Sequence, residues 1–219
     1  MKSILFEVNY EHINCSIKPS YDPLEELCPY LWHINIPILS ALSVEYFSVQ
    51  DRGSFSLSSL DTVVAGDTLI MESAYPLSEE HRSISVVVHY NGIRDYSLLF
   101  PWVSNVDLKR DLGLFYEEAE KNFEQGAWLS FALMCGAVFE GMLYAKLNYP
   151  SENGFNLMIT RASNEENNIL NASQKEIMDK VRILRNRVHC NKFDLPYVSR
   201  VDAMDIKSLL DRLIKDFSL

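Results

Sequence analysis

ASQKEIMDKVRILRNRVHCN, residues 172–191, decides how the rest of the chain is read. At about 100° of rotation per residue, Ile177, Val181, Leu184 and Val188 recur at i, i+4, i+7 and i+11, which predicts the apolar stripe of a single helix. Arg182, Arg185, Asn186 and His189 fall on a different arc, expected to point away from that stripe. Two guanidiniums, an amide and an imidazole on one face suit the handling of a phosphate. They combine permanent charge and forked donors with an orienting amide and a group that titrates near neutrality. The plain alternative for the same four residues is a basic, solvated helix face.

The chain around this stretch has 219 residues, room for one large domain or two modest ones. A hydrophobic content of 47% is ordinary for a globular protein with a real core. The richest segment, 127–147, is interrupted by Glu140 and Lys146 and predicts a buried core helix rather than a membrane span. The start, MKSILFEVNYEH, does not read as a signal peptide. Cys15, Cys28, Cys135 and Cys190 show no CxxC spacing, and His189-Cys190 has no second pair to complete a zinc site. No metal or other cofactor is expected, and a reducing, cytoplasmic setting fits best.

The net charge of −10 argues against indiscriminate nucleic-acid binding, but it is unevenly placed. Residues 1–105 carry five Lys/Arg against thirteen Asp/Glu, a net of −8. Residues 171–219 carry ten against seven, a net of +3. An anionic ligand would be drawn to the quoted stretch and repelled by the front half.

The front half predicts an antiparallel β-rich domain over 1–105. Strands are expected at 3–9, at 32–39 with Pro37 marking a sheet edge, at 43–49 and 55–57 around the Asp51-Arg52-Gly53 turn, and at 68–73 after Gly66-Asp67. Residues 17–29, with three prolines, read as a loop or short helix. Asn91-Gly92, between SISVVVHY and RDYSLLF, predicts a type I′ hairpin. His12, His33, His81 and His89 share no spacing and read as ordinary structural or surface histidines.

From about residue 106 the pattern becomes helical. Residues 112–124 predict an amphipathic helix with Leu112, Phe115, Ala119 and Phe123 inward and the glutamates outside, closed by Gln125-Gly126. Residues 128–147 are apolar nearly all round, as in the central helix of a bundle. Glu140 is a lone carboxylate there and should face a cleft or meet an arginine, since an unpaired buried charge is costly. A short helix at 155–162 follows. Asn171 or Ser173 is the expected N-cap of the quoted helix, and Ser199 caps a last helix over 201–217.

The order of these helices, with Ala119, Gly126, Phe139-Glu140 and Arg185-Asn186…His189, resembles the HEPN superfamily (higher eukaryotes and prokaryotes nucleotide-binding) over residues 106–219. The front half carries no such resemblance. The fold implied is α+β: the antiparallel β-rich domain followed by a HEPN-like antiparallel helical bundle. Active members of that superfamily resemble metal-independent ribonucleases, often toxins or antiviral defence effectors. They usually dimerise so that the Arg/His helices of both protomers meet across a cleft. Their signature is Arg, four to six residues, and His, often with a polar residue after the Arg. Here Arg185-Asn186 has the polar follower with three residues before His189, and Arg182 has six residues before His189 but is followed by Ile183.

The resemblance implies Arg182, Arg185, Asn186 and His189 as catalytic residues, Glu140 in support, RNA or a nucleotide as ligand, and a homodimer formed through the bundle. His189 would serve as general acid or base and the arginines would hold the phosphate. Two further readings use the same residues. One is a nucleotide- or RNA-binding or protein-interaction bundle without catalysis. The other is structural: Arg182 or Arg185 pairs with Glu140, and His189 caps the helix C-terminus.

Overall fold

The computed structural model describes residues 1–19, 28–50, 56–57, 62–74, 76, 83–152 and 154–218. The chain is α+β and divides into two compact units, Met1–Asp95 and Tyr96–Phe217.

The first unit holds eight described strands: β1 (Lys2–Asn9), β2 (Ile13–Ile17), β3 (Tyr30–Asn35), β4 (Leu42–Gln50), β5 (Ser56–Leu57), β6 (Thr62–Ala65), β7 (Thr68–Ser73) and β8 (Ser83–Ile93). They form two antiparallel sheets, ordered β1-β8-β4-β5 and β2-β3-β7-β6. Side chains alternate across each sheet. Phe6 and Val8 of β1, Ile84, Val86 and Val88 of β8, Trp32 and Ile34 of β3, and Leu69 and Met71 of β7 are buried, and their neighbours in sequence are more exposed. That period of two is what a sheet with a single buried face requires.

Three expectations for this unit fail. Asn91-Gly92 makes no hairpin; both residues lie inside β8, which pairs with β1 on one side and β4 on the other. The β4 ladder resumes beyond the dipeptide, at Leu42 opposite Ile93 after a register shift, and the Asn91 amide donates to Glu45. RDYSLLF is not a strand: Tyr96–Leu99 is a 3₁₀ helix of the second unit, where Tyr96 and Phe100 set their rings edge-on to Tyr116. Pro37 does not mark an edge either. β3 stops at Asn35 and is flanked by β2 and β7, so the proline falls in the turn beyond it. The turn at 51–53, most of the 17–29 loop and His81 lie outside the described residues.

The second unit holds α1 (Val106–Glu124), α2 (Trp128–Lys146), α3 (Phe155–Ala162), α4 (Ala172–Arg185) and α5 (Arg200–Ser218). α1 begins six residues before the expected start, capped by Asn105, whose side chain accepts from the Leu108 amide at 2.9 Å. It ends where Gly126 adopts φ 73°, the left-handed geometry that stops a helix. Leu112 lies against Gly141 and Phe123 against Phe131, so α1 and α2 run antiparallel. Phe115, expected inward, is 42% exposed, and Tyr116 takes its place in the core.

α2 buries Phe131, Cys135, Val138, Phe139, Met142 and Leu143 and packs against α1, α3 and α4. By length and composition alone it is apolar enough to cross a membrane. α5 contributes Ile206, Leu209, Leu210 and Leu213 to the core, as its spacing predicts, and the Ser199 hydroxyl accepts from the Asp202 amide at its start.

Candidate functional site at the end of α4

α4 is set by its N-terminus. Asn171 accepts from the Gln174 amide at 2.9 Å, and the Gln174 side chain accepts from the Asn171 amide at 2.8 Å, a reciprocal capping box. The helix was expected to run through Asn191 but ends at Arg185, with Asn186 as its C-cap. Beyond it come two 3₁₀ turns, Asn186–Val188 and Cys190–Lys192, with His189 between them in extended backbone at φ −83° and ψ 115°. The residues after Arg185 explain the stop. Asn, Val, His and Cys are weak helix formers, and Val188 gains no burial to offset that, being 49% exposed.

The buried line of α4 is Met178, Val181 and Leu184. Arg185 follows Met178 by seven residues, two full turns, and so shares the core-facing side; the expectation that it points away from the stripe is corrected. Gly136 of α2 makes room for it: a Cβ there would stand 2.4 Å from Arg185 Cδ. The arginine stem therefore crosses α2 at Gly136 and delivers Nη1 to Glu140 Oε2, one turn further along, at 2.9 Å. The Phe155 ring lies 5.4 Å from Arg185 Cζ. Glu140 thus meets an arginine, as its position required. The pair stays within reach of solvent, at 32% exposure for Arg185 and 35% for Glu140.

Arg182 sits at the rim of the same helix, with Nε 3.4 Å from Asp179 Oδ1. Lys175 holds the other Asp179 oxygen at 2.6 Å and, with help from Arg182, keeps that carboxyl below its usual range. Asn186 and His189 are exposed. The two arginines and Asn186 belong to the last turn of α4 and its cap, whereas His189 stands on the adjoining turn and not on the helical arc. Among the described residues no hydrogen bond joins the side chains of Arg182, Arg185 and His189.

Three residues near this corner went unread in the sequence. The Arg187 guanidinium lies 5.8 Å from the Tyr197 ring, and its Nε is buried without a hydrogen-bond acceptor. Phe193 and Tyr197 are 79% and 63% exposed. An open groove of about 760 Å³ also borders α4, lined by Lys175, Asp179, Lys180, Ile183, Pro196 and Asp202. Its two lysines are already matched to Asp179 and Asp202.

A second polar cluster lies inside the helical unit. Glu120, expected on the outer face of α1, is 5% exposed. Lys207 of α5 reaches Glu120 at 2.7 Å and bonds both oxygens of Asp211, and the Tyr116 hydroxyl donates to Asp211 at 2.6 Å. Burial works to lower the Lys207 ammonium, but Asp211 and Glu120 outweigh it and hold the group above its ordinary value. Burial, then the same two carboxylates, pushes the Tyr116 phenol well up. Burial and Glu120 push Tyr96 up to about 12. The buried Cys135 thiol is likewise raised, chiefly by burial.

All four cysteines are free. Among the described residues no group of three His, Cys, Asp or Glu side chains is placed to hold a metal ion. No protein-family model, no curated protein and no solved structure matches the chain.

Proposed function

We propose that the 96–217 unit is a HEPN-like bundle acting as a metal-independent endoribonuclease in the cytoplasm, working as a homodimer. The observation that carries this reading is the corner after α4. An anchored, solvent-reachable guanidinium closes the helix, and an exposed imidazole follows on the next turn. Glu140 occupies one nitrogen of Arg185, and the guanidinium has further N–H donors for a phosphate. In the reaction, the ribose 2′-hydroxyl attacks the adjacent phosphate as His189 of one protomer removes its proton. The P–O5′ bond breaks as the same residue of the other protomer protonates the leaving oxygen. Arg182 and Arg185 stabilise charge on the non-bridging oxygens, and Asn186 orients the imidazole or the phosphate. The products are a 2′,3′-cyclic phosphate and a 5′-hydroxyl. A role as toxin or defence effector follows from the same resemblance.

A second reading, an RNA- or nucleotide-binding bundle without catalysis, is favoured by one specific fact: both arginines already have carboxylate partners, Glu140 and Asp179. Incubating the purified chain with total RNA in a chelator separates the two. Cleavage that disappears in His189→Ala supports the ribonuclease; RNA retained intact, with affinity unchanged by that substitution, supports the binding module.

A further inference from the structure

The segment that joins α4 to α5 differs from the helix it follows. Lys175 and Arg182 of α4 are matched to Asp179, Lys180 to Asp202 and Arg185 to Glu140. Among the described residues, no carboxylate lies within 4.0 Å of Arg187, Lys192 or Arg200. From Arg185 to Arg200 the chain carries four Lys/Arg against Asp194 alone, a local +3 in a protein of net −10. In the same stretch Phe193 is 79% and Tyr197 63% exposed.

Exposed rings side by side with unneutralised cations mark a surface made to be covered by something flat and anionic. The chain is held in shape there. The Lys192 amide donates to the His189 carbonyl at 2.9 Å and the Leu195 amide to the Lys192 carbonyl at 3.1 Å, so the residues between imidazole and rings follow compact turns. Arg187 already faces the Tyr197 ring.

We propose that residues 187–200 form a stacking platform for unpaired RNA bases, with Phe193 and Tyr197 as the rings and Arg187, Lys192 and Arg200 as the phosphate contacts. The platform rests on the RNA-handling reading above and names its substrate class: single-stranded RNA, delivered beside His189. A duplex keeps its bases stacked on one another and has no free face to offer the rings.

The test uses the full chain carrying His189→Ala, so that no probe is consumed. Its ligands are a fluorescent adenosine single strand of about twelve nucleotides and an RNA duplex of equal length, followed by anisotropy. The single strand is expected to bind at least about tenfold more tightly than the duplex. Phe193→Ala and Tyr197→Ala should each weaken it by about tenfold or more, and Phe193→Trp or Tyr197→Trp should keep it. Arg187→Ala with Lys192→Ala should reduce the salt dependence. Equal affinity for the duplex, or a double ring variant that binds like its parent, overturns the platform. So does binding of phosphatidylserine vesicles with no binding of RNA. Repeating the series with His189 restored separates the two claims. Ring-dependent binding without cleavage removes the ribonuclease and keeps the platform; cleavage whose KM and kcat ignore both rings removes the platform and keeps the ribonuclease.

Discussion

The helical unit contains two clusters of opposite charges, and they are built to different rules. Around Lys207, the lysine side chain is 19% exposed and that of Glu120 7%, and the Tyr116 hydroxyl donates to Asp211, whose own side chain is 44% exposed. Around Arg185, one carboxylate takes one nitrogen, an aromatic ring covers the back, and both charges keep a third of their surface in water. In the first cluster the Lys207–Glu120 pair is largely buried and only Asp211 opens to water, so the pair fixes α1 against α5. The second has capacity to spare at the surface, which is what a ligand needs. Completeness and burial, more than the presence of charge, distinguish the cluster that holds the fold from the one proposed to work on a substrate.

The sharpest way to break that contrast is Lys207→Met, which leaves Glu120 and Asp211 facing each other with no cation. Breaking a buried pair in this way costs about 3–5 kcal/mol, read as a lower urea midpoint for the helical unit. A change below about 1 kcal/mol would mean the cluster is no more structural than a surface pair.

The pH dependence should follow the same cluster. Lys207, Tyr116 and Tyr96 all have folded values above their ordinary ones. A raised value contributes stability that is complete below the unfolded pKa and is lost as pH climbs through the folded one. Stability should therefore fall above roughly pH 10, with Tyr96 titrating at about 12. Urea midpoints measured from neutral to alkaline pH check this, and Lys207→Met should flatten part of the slope.

Gly136→Ala probes the open cluster. The new methyl would displace Arg185 from its path across α2. The gain in helix propensity, about 1 kcal/mol, offsets much of the strain. The expected result is a nearly unchanged urea midpoint with RNA cleavage reduced by about tenfold or more. Glu140→Gln should have the smallest effect on stability, about 1 kcal/mol or less, because the pair is solvent-screened.

Much of this was legible in the sequence wherever local pattern and burial agree. The apolar α2, the core line of α5 and the strand after Gly66-Asp67 follow from residue spacing, and Asn171, which caps α4, is one of the two residues the sequence offers for that role. The failures share a cause: partners distant in sequence. Asn91-Gly92 reads as a hairpin until Leu42 of β4 pairs with Ile93 beyond it and carries β8 through the dipeptide. Arg185 reads as solvated until Gly136, 49 positions earlier, opens a path for it. Glu120 reads as an outer glutamate because Lys207, its partner, lies four helices along the chain. The early end of α4 was the more readable miss, since Asn-Arg-Val-His-Cys-Asn is a poor helical run and Val188 had no partner to hold it.

The most direct measurement is the end chemistry of total RNA incubated in chelator with the purified chain and with His189→Ala. The expected outcome is fragments bearing 2′,3′-cyclic phosphates and 5′-hydroxyls from the parent protein, none from the variant, and identical urea midpoints for both. Intact RNA from the parent, or equal cleavage by the two proteins, would contradict a catalytic corner at the end of α4.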